Sequence, residues 1–177
     1  MAERGPGLLI TCEHGGNRVP AAYAPLFLGQ DALLDSHRGL DIGSLVLARQ
    51  LASHLRAPLI VHVSVHTFAP VLDGVRRVTD VGLLYDPRRR PEQAFCAHWQ
   101  QTLQAADRPP RVRRNYPYLG RADGLTTALR KRHGPARYLG VELEVNQAIS
   151  GQPEPCWAGL RAQLAESLAT ALVAASA

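Results

Sequence analysis

The sequence predicts an α/β fold with a mainly parallel or mixed sheet. Two observations carry that prediction. Short apolar, β-branched runs alternate along the chain with stretches of helical period, the pattern of strand–helix–strand units. Polar residues gather directly after those runs, where open α/β sheets hold their ligands beyond the carboxyl ends of the strands.

The elements follow in order. "GLLITC" reads as a short buried strand ending at Cys12. A helix follows from about Gly43 to Arg56, with Leu45, Ala48, Leu51, Ala52 and Leu55 as its apolar stripe. Ala57-Pro58 ends it, and "LIVHVSVHTF" forms a second strand. "VGLLYD" is a third. Pro91 opens a helix that carries Phe95, Trp99 and Leu103 at four-residue spacing, and "ADRPPR" breaks it. "YLGVELEVNQ" is the fourth strand. The last helix, from about Pro155, carries Trp157, Leu160, Leu164, Leu168 and Leu172. No internal repeat, linker or boundary interrupts the pattern. Residues 1–177 are therefore expected to form one domain, long enough for a sizeable core.

Composition narrows the function classes. No apolar run reaches the roughly 18 residues of a membrane span, and "MAERGPG" lacks the apolar stretch of a signal peptide. The expectation is a cytoplasmic protein with no membrane partner. Cys12, Cys96 and Cys156 are far apart with no CxxC, so neither a disulfide framework nor a cysteine zinc site is expected. Net charge is +5, carried almost wholly by arginine, with Lys131 the only lysine. The cations are spread in small runs with few interleaved aromatics, which argues against nucleic acid. Arginine also binds carboxylates through two parallel hydrogen bonds, which suits an acidic small molecule.

The strand ends supply the chemistry. The first gives Glu13, His14 and Asn17, with Gly15-Gly16 as the turn. The second gives His66; His62, Ser64 and His66 share one face of that strand by its period of two. The fourth gives Glu142 and Glu144 on one face, while Val141, Leu143 and Val145 pack on the other. His62 alone reads as a hydrogen-bonded core histidine. His37 and Asp41, four apart, read equally as a ligand pair or as a cap and salt bridge. Two histidines and several carboxylates at sheet ends suit one divalent ion, zinc first. An ion of this kind acidifies water, and a glutamate off the metal serves as base and then acid, the pattern of amide or ester hydrolysis. There is no GK[ST] phosphate loop and no GxSxG elbow. "RRNYPYLGRADG" holds Arg114, Asn115, Tyr116 and Tyr118 in a turn-rich stretch, either a surface loop or a carboxylate clamp.

"TCEHGGNRVP", "SHRGLDIG", "VHTFAPVLDG", "VGLLYDP", "NYPYLGRADG" and "GVELEVNQ" occur in that order over about residues 8 to 150. Together they resemble the N-formylglutamate amidohydrolase family, in its branch of N-formylglutamate amidohydrolase-like proteins. The resemblance implies a three-layer α/β/α sandwich similar to zinc carboxypeptidases and aspartoacylases. It implies hydrolysis of N-formyl-L-glutamate to formate and glutamate, a step of histidine catabolism. By the same resemblance His14 and His66 are metal ligands and Glu144 is the general base. Arg114 and Asn115 lie in the stretch that resembles the substrate-facing loop. The related carboxypeptidases use a His-x-x-Glu pair, but the residue three after His14 is Asn17, a poor zinc ligand and better suited to substrate. Glu13 ranks first as third ligand and Asp41 second, with Asp41 otherwise at the substrate.

One departure stands out. Family members continue after the first long helix through an Asp-x-Asn-Arg strand and a further helix, whereas here "APLIV" runs directly into "HVSVHTFAP". An arginine and an asparagine suited to an acidic substrate are absent with that segment, and the sheet is expected to lose a strand or pair differently. Two other readings stay open: a zinc amidase or carboxypeptidase-like hydrolase on another acidic N-acyl substrate, and an inactive member that binds an acidic ligand or nucleic acid.

Overall fold

The computed structural model describes residues 7–36, 38–54, 60–122 and 124–174, and among these described residues seven strands occur. They are β1 (Gly7–Thr11), β2 (Ile60–Phe68), β3 (Val71–Leu72), β4 (Val75–Arg76), β5 (Val81–Leu84), β6 (Val112–Arg114) and β7 (Leu139–Asn146). Five of them form one sheet in the order β1-β2-β7-β5-β6, and β3 pairs with β4 in a separate hairpin. β1, β2 and β7 run parallel; β5 is antiparallel to β7, and β6 is parallel to β5. The helices are α1 (Asp31–Leu34), α2 (Ser44–His54), α3 (Arg90–Gln104), α4 (Gly124–Arg132), α5 (Gln147–Ser150) and α6 (Cys156–Ala174), with a 3-10 stretch at Ala21–Phe27.

The alternation of the strands makes two unlike faces. Leu8, Val61, Val63, Val65, Val141, Leu143 and Val145 lie on one face and are buried against α2, α3 and α6. Trp99 on α3 is fully buried there, and its indole N–H donates to Ser167 Oγ on α6 at 2.9 Å. The other face carries Thr11, His62, Ser64, His66, Glu142 and Glu144 in register across β1, β2 and β7. α4 packs on β7 over this polar side. The result is an α/β fold with a mainly parallel central sheet flanked by helices, as the strand–helix alternation predicts.

The differences from the sequence expectation are local. β1 pairs directly with β2, so the two strands flanking α2 are neighbours with nothing between them. β3, β4 and α4 fall in stretches that the sequence pattern leaves unassigned, and β6 runs into the turn-rich stretch that starts at Arg113. α2 matches the predicted helix from Ser44 to His54, while Leu55, Arg56 and the predicted strand start at Leu59 lie outside the described residues.

Candidate metal centre

The polar face ends in a cavity of about 330 Å³ at the carboxyl ends of β1, β2 and β7. The chain turns sharply after β1, and Gly15 is what lets it lie against α2. A Cβ there would sit 2.9 Å from Cys12 Sγ and 3.2 Å from Leu45 Cβ, whereas Gly16 faces open space. A backbone bond from Asp41 N–H to the His14 carbonyl (3.0 Å) ties this turn to the segment that enters α2. The Asp41 carbonyl in turn accepts from Ser44 N–H and Ser44 Oγ at the start of that helix. Asp41 is thereby buried with its carboxylate aimed at His66.

His14, Asp41 and His66 each offer one ligand atom, and the three atoms lie within 4.8 Å of one another. Asp41 Oδ2 is 2.8 Å from His66 Nδ1 and 3.8 Å from His14 Nδ1. The two imidazole rings meet edge to face with centroids 5.5 Å apart. Two imidazoles and a carboxylate form a donor set suited to zinc or a similar divalent ion. His37, the other half of the predicted His-Asp pair, lies outside the described residues.

Glu13 ranks first as third ligand on sequence; the cluster whose ligand atoms converge comprises Asp41 with the two histidines, and Glu13 lies beside it. The Glu13 carboxylate is held on the sheet side: Oε1 accepts from Thr11 Oγ1 at 2.6 Å and from Ser64 Oγ at 2.7 Å. Its Oε2 lies 3.6 Å from His66 Nε2, so Glu13 faces the ring edge away from Asp41. His66 is thus held at both nitrogens, Nδ1 by Asp41 and Nε2 by Ser64 Oγ at 2.9 Å, with the Glu13 charge just beyond. Burial opposes its positive charge, but hydrogen bonds to Asp41 and Glu13 and the charges of Glu144 and Asp41 push it up to about 11. Glu13 responds in kind: against burial, its bonds to His66, Thr11 and Ser64 bring it down to about 2.

Glu144 lines the same cavity beside His66 and is 5% exposed. Its Oε2 is buried without a hydrogen-bond partner. Burial dominates and raises it to about 8, with the His66 charge opposing. Glu142, two residues earlier, also lines the cavity and is raised by burial, although Thr126 Oγ1 of α4 donates to its Oε1. Sequence reading groups Glu142 with Glu144 but assigns it no role.

The other predicted residues separate from the cavity. Asn17 is spent on the surface, its side-chain N–H donating to Asp35 Oδ1 at 2.6 Å. Arg114 pairs in register with Leu83, whose side chain is in the core, so strand alternation turns it to the helical face, away from the cavity. Asn115 has φ near +50° and uses its Oδ1 to accept from Tyr85 N–H and Gly120 N–H. These bonds pin the loop. The same loop does contribute Tyr118 and Leu119 to the cavity wall. His62 is a satisfied core histidine, bonded to Thr11 Oγ1 and Tyr138 Oη, and burial pushes its pKa down. Burial also raises the Cys12 thiol, which donates to Ser44 Oγ at 3.1 Å.

Gly82 shows how tightly this wall is built. A Cβ at Gly82 would sit 2.1 Å from the Tyr116 carbonyl oxygen and 3.2 Å from Glu144 Cβ. Gly82→Ala must push off the loop that carries Tyr118. We expect it to lower the unfolding free energy by roughly 1–3 kcal/mol, read as a lower urea midpoint.

No family model matches the chain, and no curated protein matches it in sequence. Among solved structures, the fold is similar to that of the gene product Atu2144 from Agrobacterium tumefaciens, with a TM-score of 0.72 and 22% identity over 96% of this chain and 92% of that one. That likeness establishes the α/β fold. Weaker likenesses reach an N-formylglutamate amidohydrolase from Ralstonia eutropha JMP134 (TM-score 0.47, 18% identity, 72% of this chain and 48% of that one). They also reach the N-acetylmuramoyl-L-alanine amidase AmiC2 of Nostoc punctiforme (TM-score 0.44, 17% identity, 97% of each chain).

Proposed function

We propose that the chain is a metal-dependent amide hydrolase acting on an N-acyl amino acid, with N-formyl-L-glutamate as the first substrate to test. The observation that carries this reading is one juxtaposition: a His14–Asp41–His66 donor set beside a buried, unpartnered Glu144 oxygen in one cavity. The order of the six sequence motifs supports the same reading. His14, Asp41 and His66 would hold the ion, which supplies Lewis-acid polarisation of a carbonyl and acidifies water. Glu144, facing the same cavity with an unpartnered oxygen, would in its ionised form take a proton from the attacking water and return one to the departing amine nitrogen. Glu13 holds His66 in orientation from its far side, as carboxylates do behind metal-binding imidazoles.

The test is metal content by elemental analysis. Wild type is expected to carry about one divalent ion per chain, and His14→Ala to lose it. His14 is half exposed, so this variant leaves the core intact. Stoichiometric ion in His14→Ala would overturn the site. The pH dependence has a definite sign. His66, held up to about 11 without an ion, must give up its proton to bind one. Affinity should therefore rise roughly tenfold per pH unit below that value, and calorimetry in buffers of different ionisation enthalpy should detect about one proton released. Affinity that does not change between pH 6 and 8 would remove His66 from the ligand set.

A further inference from the structure

Four carboxylates, Glu13, Asp41, Glu142 and Glu144, line the cavity, and among the described residues no arginine or lysine does. An acidic substrate entering such a wall needs a cation at the rim. Arg114 points to the helical face. Arg130, beneath Glu142, is spent on Glu92 and on the Gly120 and Gly140 carbonyls. Arg77 differs from both. Its guanidinium lies 5.0 Å from the Tyr118 ring centroid and 6.0 Å from that of Phe68, and both rings line the cavity. One N–H donates to Tyr118 Oη at 3.0 Å. A guanidinium has five N–H donors, so most of the fork remains for a ligand.

The backbone of Arg77 is as firmly placed as its head. Its N–H donates to the Pro70 carbonyl at 2.8 Å, closing the β3–β4 hairpin. Its carbonyl accepts from Asn146 Nδ2 at 2.9 Å, and Asn146 is buried two residues beyond Glu144 on β7. The hairpin that carries the cation is thus tied to the strand that carries the base. Two aromatic faces and a rooted backbone hold the guanidinium in place before any ligand arrives, which cuts the ordering cost of binding.

On the hydrolase reading above, we infer that Arg77 is the anchor for the substrate's side-chain carboxylate. It selects the negatively charged amino-acid side chain at the rim while the scissile amide faces Glu144.

The experiment compares wild type, Arg77→Gln and Arg77→Lys on N-formylglutamate and N-formylglutamine. It also measures glutamate binding to the zinc-loaded protein by calorimetry. The anchor predicts a kcat/KM on N-formylglutamate roughly 10- to 100-fold lower in Arg77→Gln, carried mostly by KM. The substrate with the uncharged side chain should be little changed, and Arg77→Lys should recover only part of the loss. An equal loss on both substrates would make Arg77 a structural staple between two rings and overturn the anchor. If wild type hydrolyses neither compound, calorimetry decides: glutamate binding abolished by Arg77→Gln keeps the anchor while the hydrolase reading falls. Binding indifferent to residue 77 overturns the anchor.

Discussion

Glu144→Gln is expected to lower kcat by roughly 10²- to 10⁴-fold while leaving about one divalent ion per chain. The argument rests on placement. Glu144 is not in the His14–Asp41–His66 donor set, yet it lines the same cavity and its Oε2 has no partner in the fold. A buried oxygen of that kind is costly unless something outside the fold uses it. Glutamine keeps the shape and removes the proton acceptor, so loss of rate with retained metal isolates proton transfer. A near-normal rate would remove Glu144 from the mechanism.

The same variant has a signature that needs no substrate. The folded-state value of Glu144, about 8, lies above its ordinary value of 4.5. The folded protein therefore binds the proton more tightly than the unfolded chain between those limits, and the Glu144 contribution to stability falls as pH rises from 4.5 through 8. In the metal-free protein, Glu144→Gln should gain thermal stability over wild type, and the gain should grow across that window and level off above it. A Tm difference that is constant with pH would mean Glu144 is not held protonated by burial.

The parts of this molecule legible in its sequence are those set by apolar period. β1, β2, β5, β7, α2, α3 and α6 each bury a stripe or run that the sequence displays. β6 escapes because three residues, "VRR", bury only Val112. α4 escapes because Thr126 is its only buried residue, so it presents no apolar stripe. The antiparallel pairing of β5 with β7 is a choice of topology that local pattern does not encode. The site divides along the same line. Strand alternation places His66 and Glu144 on one face, because a period of two is a local rule. Asp41 joins them through a loop bond to His14, and nothing in the spacing of residues 13, 14 and 41 announces that contact. Arg114 was open to the opposite error: its charge suggests a clamp, while its register with Leu83 turns it away.

Glu92→Ala is expected to cost about 3–5 kcal/mol of stability, the largest single loss on the helical side. Glu92 is 1% exposed, and its carboxylate meets four partners from three parts of the chain. Arg130 Nε of α4 donates to both oxygens at 3.0 and 3.1 Å, and Arg89 Nε lies 3.4 Å from Oε1. Backbone N–H groups of Asp86 and Gly140 donate at 3.0 and 3.1 Å. Removing the carboxylate strands two nearly buried guanidiniums and two buried N–H groups at once, and loss of one partner from a buried pair costs far more than the pair contributes. Glu92→Gln tests the charge apart from the shape: it keeps the volume, yet it should still lose most of this stability. A double-variant cycle with Arg130→Ala should give a loss well short of the sum, because the second deletion removes a charge already stranded. Additive losses would mean the two side chains act independently. The effect should also reach the cavity. Arg130 holds the Gly120 carbonyl beside the Tyr118 loop, and α4 presents Thr126 to Glu142. A chain weakened at Glu92 should therefore bind substrate more weakly before it loses its ion, because His14, Asp41 and His66 stand on the turn after β1, the loop before α2 and β2, none of which Glu92 touches.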